Sequence, residues 1–134
     1  MPTIISHGFF AVVTGRMFSK AVSLKFVTLS VLCSILPDAD VVGFSLGVPY
    51  GSVLGHRGFS HSLVFALLVA VFVVLFAFRE TRRFTRAWWS LLGYFFVVTA
   101  SHGVLDAATD GGLGVGFLLP FDSARYFFPF RPVH

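Results

Sequence analysis

Residues Ser62–Phe78 read SLVFALLVAVFVVLFAF, with no charge and no polar side chain after Ser62. A helix that crosses a bilayer needs roughly 17–25 such residues. The run is therefore read first as a membrane segment. Three further apolar segments flank it: Thr3–Phe18, Ala21–Leu36 and Ala87–Ala108. The second is expected to stop at Pro37, which has no backbone N–H and cannot easily continue a helix. The first two are near the lower length limit, so short, tilted or partly interfacial helices are expected.

Composition agrees. Hydrophobic residues make up 56% of the 134 residues and charged residues only 12%, too little charge to cover a water-facing surface. Mean hydropathy is +0.86. The net charge of +4 does not mark a nucleic-acid partner, because the basic residues bracket apolar segments as topology signals do. The one cysteine, Cys33, allows no intramolecular disulfide. The opening Met1-Pro2-Thr3 has no basic stretch and does not read as a cleaved signal peptide. The length suits a single domain over residues 1–134. The expected fold is an all-α membrane protein: a compact up-down bundle of about four helices, with a long metal-site loop and an ordered C-terminal flap.

Arg16, Lys20 and Lys25 surround the first connection, and Arg79, Arg82, Arg83 and Arg86 crowd the third. The positive-inside rule puts both in the cytoplasm. The Pro37–His61 loop and both chain ends then lie on the outer face of a multi-pass protein.

That scheme gathers the unusual residues. His7 is near the start of the first segment, Asp38 and Asp40 follow the second, His56 and His61 precede the third, and His102 and Asp106 end the fourth. Alternating helices bring all of these ends to one side. His102 and Asp106 are four apart, about 40° around a helix, so they share a face. Asp38 and Asp40 converge only if the chain leaves α-helical geometry after Pro37. Gly58 gives the loop freedom to fold His56 back, and Ser60 stands where a cap for the third segment is wanted. Any one of these residues could be a packing or capping group. Seven on one face point to metal.

Imidazole and carboxylate together suit zinc first, with manganese or iron as alternatives, and the number of donors suffices for two ions. Paired ions suit phosphoester hydrolysis by a metal-activated water. Asp40 is a candidate general base if it is not a ligand. Arg57, which stands beside a donor, and Arg125 and Arg131 in the tail are candidates to bind a substrate phosphate. His134 is given no role, Asp110 is a turn or outer-shell residue, and Asp122 belongs to the LLPFD turn. A metal-ion transporter, a metal sensor or a scaffold is the alternative reading. Transport is disfavoured because the third segment offers no polar path.

Ser6-His7, LPDAD at Leu36–Asp40, HRGFSHS at His56–Ser62 and SHGVLDAAT at Ser101–Thr109 resemble, in that order, the LexA-regulated inner-membrane metal-dependent hydrolase family (YdjM type). The resemblance extends to the tail, RYFFPFRP at Arg125–Pro132. It implies a prokaryotic inner-membrane protein with a hydrolase site. Matched position by position, it implies His7, Asp38, Asp40, His56, His61, His102 and Asp106 as the metal set. The HxxxD element is also similar to one in zinc-dependent phospholipase C enzymes, over a short stretch only. That similarity suggests a phospholipid or lipid-linked phosphoester as substrate.

Overall fold

The computed structural model describes residues 4–18 and 23–131. Lys20, His134 and the first three residues, which entered the sequence reading, lie outside these. Among the described residues the regular structure is helical. The elements are α1 (Ile4–Phe18), α2 (Leu24–Ile35), a 3-10 stretch (Leu36–Val41), α3 (Val42–Ser45), a 3-10 turn (Phe59–His61), α4 (Leu63–Ala77) and α5 (Arg86–Ala107). The expected all-helical bundle is present.

Local chemistry sets the helix starts. The hydroxyls of Ser23, Ser62 and Thr85 accept hydrogen bonds from the backbone N–H of Phe26, Phe65 and Trp88. Each satisfies a donor that a helix N-terminus leaves without a partner. Ser62, not Ser60, therefore caps the third segment.

The α-helix does stop just before Pro37, as expected, but the chain does not open into a loop there. It tightens into a 3-10 stretch with Pro37 in the first turn, where a missing N–H costs little, and continues through α3. Leu24–Ser45 thus forms one run of 22 residues. This run and Arg86–Ala107, also 22 residues, are each long and apolar enough to cross a membrane. α1 and α4 have 15 residues each. At 1.5 Å per residue they reach about 22 Å, short of the roughly 30 Å hydrocarbon layer. The sequence run that looked most like a span loses one residue at each end, Ser62 as its N-cap and Phe78 as its C-cap.

α5 is the centre of the bundle. It packs along both α4 and α2, and α2 packs along α1. α2 and α4 scarcely touch each other. Ala66, Ala70, Val73 and Val74 form the buried stripe of α4, at helical spacing. Small side chains there let the backbones approach closely. Away from that stripe α4 exposes Leu67 and Phe76, as a lipid-facing surface would, and Leu68 and Phe72 towards an open cleft beside α2. The core is Phe26, Trp88, Tyr94, Phe95 and Val98 with smaller residues around them. Tyr94 keeps its hydroxyl satisfied there, donating to Ser30 Oγ at 2.9 Å.

The residues after α5 form the ordered flap. Val115 and Tyr126 pair as an isolated antiparallel bridge. The N–H groups of Gly116 and Phe128 donate to the carbonyls of Arg57 and Ala107. Asp122 belongs to a turn, accepting from the N–H of Ala124.

Candidate metal centre

The bundle brings the seven expected donors to one end, and it sorts them into two groups. Asp38, His61, His102 and Asp106 form the first, each offering an atom within 4.8 Å of the others. Asp40, His56 and His61 form the second on the same measure. His61 belongs to both. The division follows from the 3-10 stretch. At about 120° per residue, Asp38 and Asp40 point to different sides. They fall in different groups and meet only through His61, Asp38 facing its Nε2 and Asp40 its Nδ1.

In the first group, His102 Nε2 lies 3.1 Å from Asp38 Oδ1 and 3.9 Å from Asp106 Oδ2. His61 Nε2 lies 3.4 Å from Asp106 Oδ2 and 3.8 Å from Asp38 Oδ1. Donors about 2.0–2.1 Å from a tetrahedral ion stand about 3.3 Å apart, so the group fits a small divalent ion. His7 joins from α1. Its ring stacks on His102 with centroids 3.8 Å apart, and its Nε2 lies 4.0 Å from Asp106 Oδ1. His7 is 1% exposed, and neither of its ring nitrogens has a hydrogen-bond partner. His61 Nε2 is also buried without one. Buried polar atoms without partners are costly, and carboxylates facing them are what a bound cation would connect.

The remaining nitrogens are spoken for, which fixes the ring orientations. His102 Nδ1 lies 2.7 Å from the Ser34 carbonyl, an acceptor only. Nδ1 therefore carries the proton and Nε2 presents its lone pair inward. Gly103, next in the chain, makes room. A Cβ there would sit 3.0 Å from the His61 carbonyl, 3.2 Å from the Phe117 ring and 3.3 Å from the Val115 side chain.

His61 is oriented in the same manner. Its Nδ1 faces Asp40 Oδ2 at 3.3 Å and Ser60 Oγ at 2.9 Å. Asp40 also meets His56 Nδ1 at 2.6 Å and accepts a short hydrogen bond from the Ser60 hydroxyl. Burial pushes the His61 imidazole down, but the Asp106 and Asp40 carboxylates outweigh it and raise its pKa above the ordinary 6.5. Ser60 was expected as a cap; it serves Asp40 and His61 instead.

The three arginines each have partners within the protein. Arg57 is 1% exposed. Its Nε lies 3.0 Å from Asp106 Oδ2, Nη1 donates to the Gly111 carbonyl, and Nη2 to Thr109 Oγ1 at 3.3 Å. It backs Asp106 from inside the protein rather than facing an incoming phosphate. Its φ of 60° is left-handed, a strained state for a residue with a Cβ. The freedom expected of Gly58 is thus taken by Arg57. Gly58 serves close approach, since a Cβ there would collide with the carbonyls of Val53 and Gly55. Arg125 ties loop to flap, with Nη1 3.2 Å from the His56 carbonyl and Nη2 3.1 Å from that of Ser52. Arg131 lies over the Phe127 ring, 4.8 Å from its centroid. Sequence reasoning missed Ser34, Thr109 and Gly103. The Ser34 contact is a backbone carbonyl and leaves no side-chain signal; Gly103 lies within HxxxD and Thr109 three residues after it.

The fold and the donor geometry agree with what the comparisons find. The profile of the YdjM inner membrane protein family matches residues 1–134. Inner membrane protein YbcI of Escherichia coli (strain K12) is 40% identical over 135 aligned positions, covering 99% of this chain and 76% of the relative. No solved structure matches. A match over the whole chain, with a relative this similar, shows that the chain belongs to the YdjM inner membrane protein family.

Proposed function

We propose that this chain is a membrane-bound metal-dependent hydrolase acting on a phosphoester of a phospholipid or lipid-linked substrate. One observation carries the metal reading. The ring nitrogens of His7 and Nε2 of His61 are buried without hydrogen-bond partners, close to the carboxylates of Asp106 and Asp38. The reading takes Asp38, His61, His102 and Asp106, with His7 beside them, as the residues that hold a divalent ion, zinc first. When bound, such an ion supplies Lewis acidity, which polarises a phosphoryl oxygen and acidifies water.

The protein's own residues have separable roles in this reading. Asp40 positions His61 and His56, because both of its oxygens already have partners. One ion is favoured over two: engaging His61 Nδ1 as well would strip the ring of its proton. Asp38 has 27% of its side chain exposed, against 6% for Asp106. It is therefore the member of the donor group most open to an incoming substrate. Arg57 holds Asp106 in place. The basic residues Arg16, Lys25, Arg79, Arg82, Arg83 and Arg86 cluster at the chain turns far from the donors. By the positive-inside rule, this supports a site near the extracytoplasmic face.

The test is metal analysis of the protein purified in detergent, joined to a screen of lipid phosphoesters. Near-stoichiometric zinc is expected in the wild type and its loss in Asp106→Asn, together with any hydrolysis. Hydrolysis that persists in a folded, metal-free preparation would refute the proposal.

A further inference from the structure

We propose that the cleft between α2 and α4 holds an acyl chain of a membrane phospholipid and leads its headgroup to the donor cluster from within the bilayer. The proposal deepens the hydrolase reading by naming how its substrate arrives, and rests on that reading only at the headgroup end.

The cleft exists because α2 and α4 each pack on α5 and scarcely on one another. It measures about 860 Å³ and is walled by Leu32 and Cys33 on α2 and by Leu68 and Phe72 on α4, among others. That volume is in the range of sites that bury most of a small-molecule ligand. Its lining is apolar except at one end, where Asp38 contributes. Asp38 is also the most exposed member of the first donor group: its side chain is 27% exposed, while those of His61, His102 and Asp106 are 0–6% exposed. The apolar cleft and the accessible carboxylate are therefore continuous.

On the aqueous side the loop and flap are tied down. Arg125 bridges the carbonyls of Tyr50, Ser52 and His56, and Leu63 N–H donates to the Phe117 carbonyl. The cleft also has the right length. From Leu29 to Asp38 the chain rises about 15 Å, through α-helix and then 3-10 geometry. That is half of the roughly 30 Å hydrocarbon layer, the reach of one leaflet. With Asp38 at headgroup level, the cleft ends near the bilayer midplane. Phe59 stands edge-on to Phe65, ring centroids 6.0 Å apart, and both line the cleft.

The experiment uses the full chain in vesicles of phosphatidylethanolamine and phosphatidylglycerol, with a trace of phosphatidylglycerol carrying a diazirine in one acyl chain. After illumination, labelled residues are mapped by mass spectrometry. Labelling should concentrate on Leu32, Leu68 and Phe72 over the lipid-facing controls Phe9 and Val97, which are equally open to solvent-sized contact. Leu32→Trp and Leu68→Trp, one on each wall and both more than half exposed, should each cut cleft labelling about tenfold while metal content is retained. Equal labelling of cleft and control residues, or no effect of either tryptophan in a folded, metal-loaded protein, would overturn the cleft. The hydrolase reading fails separately: Asp106→Asn leaves the cleft intact, so selective labelling without metal or hydrolysis in the wild type removes the reaction and keeps the lipid site.

Discussion

Replacing Asp40 by Asn removes one charge and almost no volume, and its effect follows from the three partners of that carboxylate. Asp40 meets His56 Nδ1 at 2.6 Å, His61 Nδ1 at 3.3 Å and the Ser60 hydroxyl. An amide offers one acceptor oxygen and one donor group in place of two acceptors. If its NH2 turns to His61, that Nδ1 must become an acceptor, and the ring proton moves to Nε2, the nitrogen that faces Asp38 and Asp106. If it turns the other way, His56 loses its acceptor, and His61 and Ser60 keep an oxygen that is no longer charged. Either arrangement weakens the support behind His61. Changes of this kind cost about 10–100-fold in metal affinity, or roughly 1.4–2.7 kcal/mol. The assay is a zinc titration against a competing chelator, with bound zinc per chain measured at saturation. The expected result is weaker binding at unchanged stoichiometry. Unchanged affinity would refute the positioning role. Loss of one whole ion from a two-ion wild type would show that Asp40 is a ligand.

Three other outcomes are expected. Arg57→Met leaves Asp106 buried without its countercharge, which should cost about 3–5 kcal/mol in the metal-free protein; thermal unfolding in detergent should show a lowered midpoint that zinc partly restores, whereas a purely substrate-binding Arg57 would leave it unmoved. Gly103→Ala presses a methyl on the His61 carbonyl, the Phe117 ring and Val115 at 3.0–3.3 Å. Such overpacking costs about 1–3 kcal/mol, and a variant with wild-type midpoint and zinc affinity would contradict the packing. The raised pKa of His61 makes a proton compete with the ion at Nε2. Zinc affinity should therefore be flat well above that pKa and fall by about tenfold per pH unit below it, starting above pH 6.5; affinity that stays level down to pH 5 would exclude His61 as a ligand.

Much of the architecture could be read without coordinates. Apolar runs and the basic turns between them suffice for helices that alternate in direction. Alternation alone sends His7, Asp38, Asp40, His56, His61, His102 and Asp106 to one end, because it depends on segment order rather than on contacts. His102 and Asp106 could be paired outright, since four residues is a helical period.

The tertiary structure decided how those seven divide. Asp40 and His56 are 16 apart in sequence and Asp38 and His102 are 64 apart. No periodicity relates residues at such distances; the path of the loop does. The turn of the 3-10 stretch after Pro37 sends Asp38 towards His102 and Asp40 towards His56, where the sequence suggested that both would meet. It also set Arg57 against Asp106 and Arg125 against loop carbonyls. A guanidinium looks the same in sequence whether its donors face solvent or protein carbonyls. The sequence by itself determined which residues share an end of the bundle, through hydrophobic periodicity and charge. Which of them touch, and which opens on the cleft between α2 and α4, was decided by packing on α5, because contact between distant segments is a property of the folded chain alone.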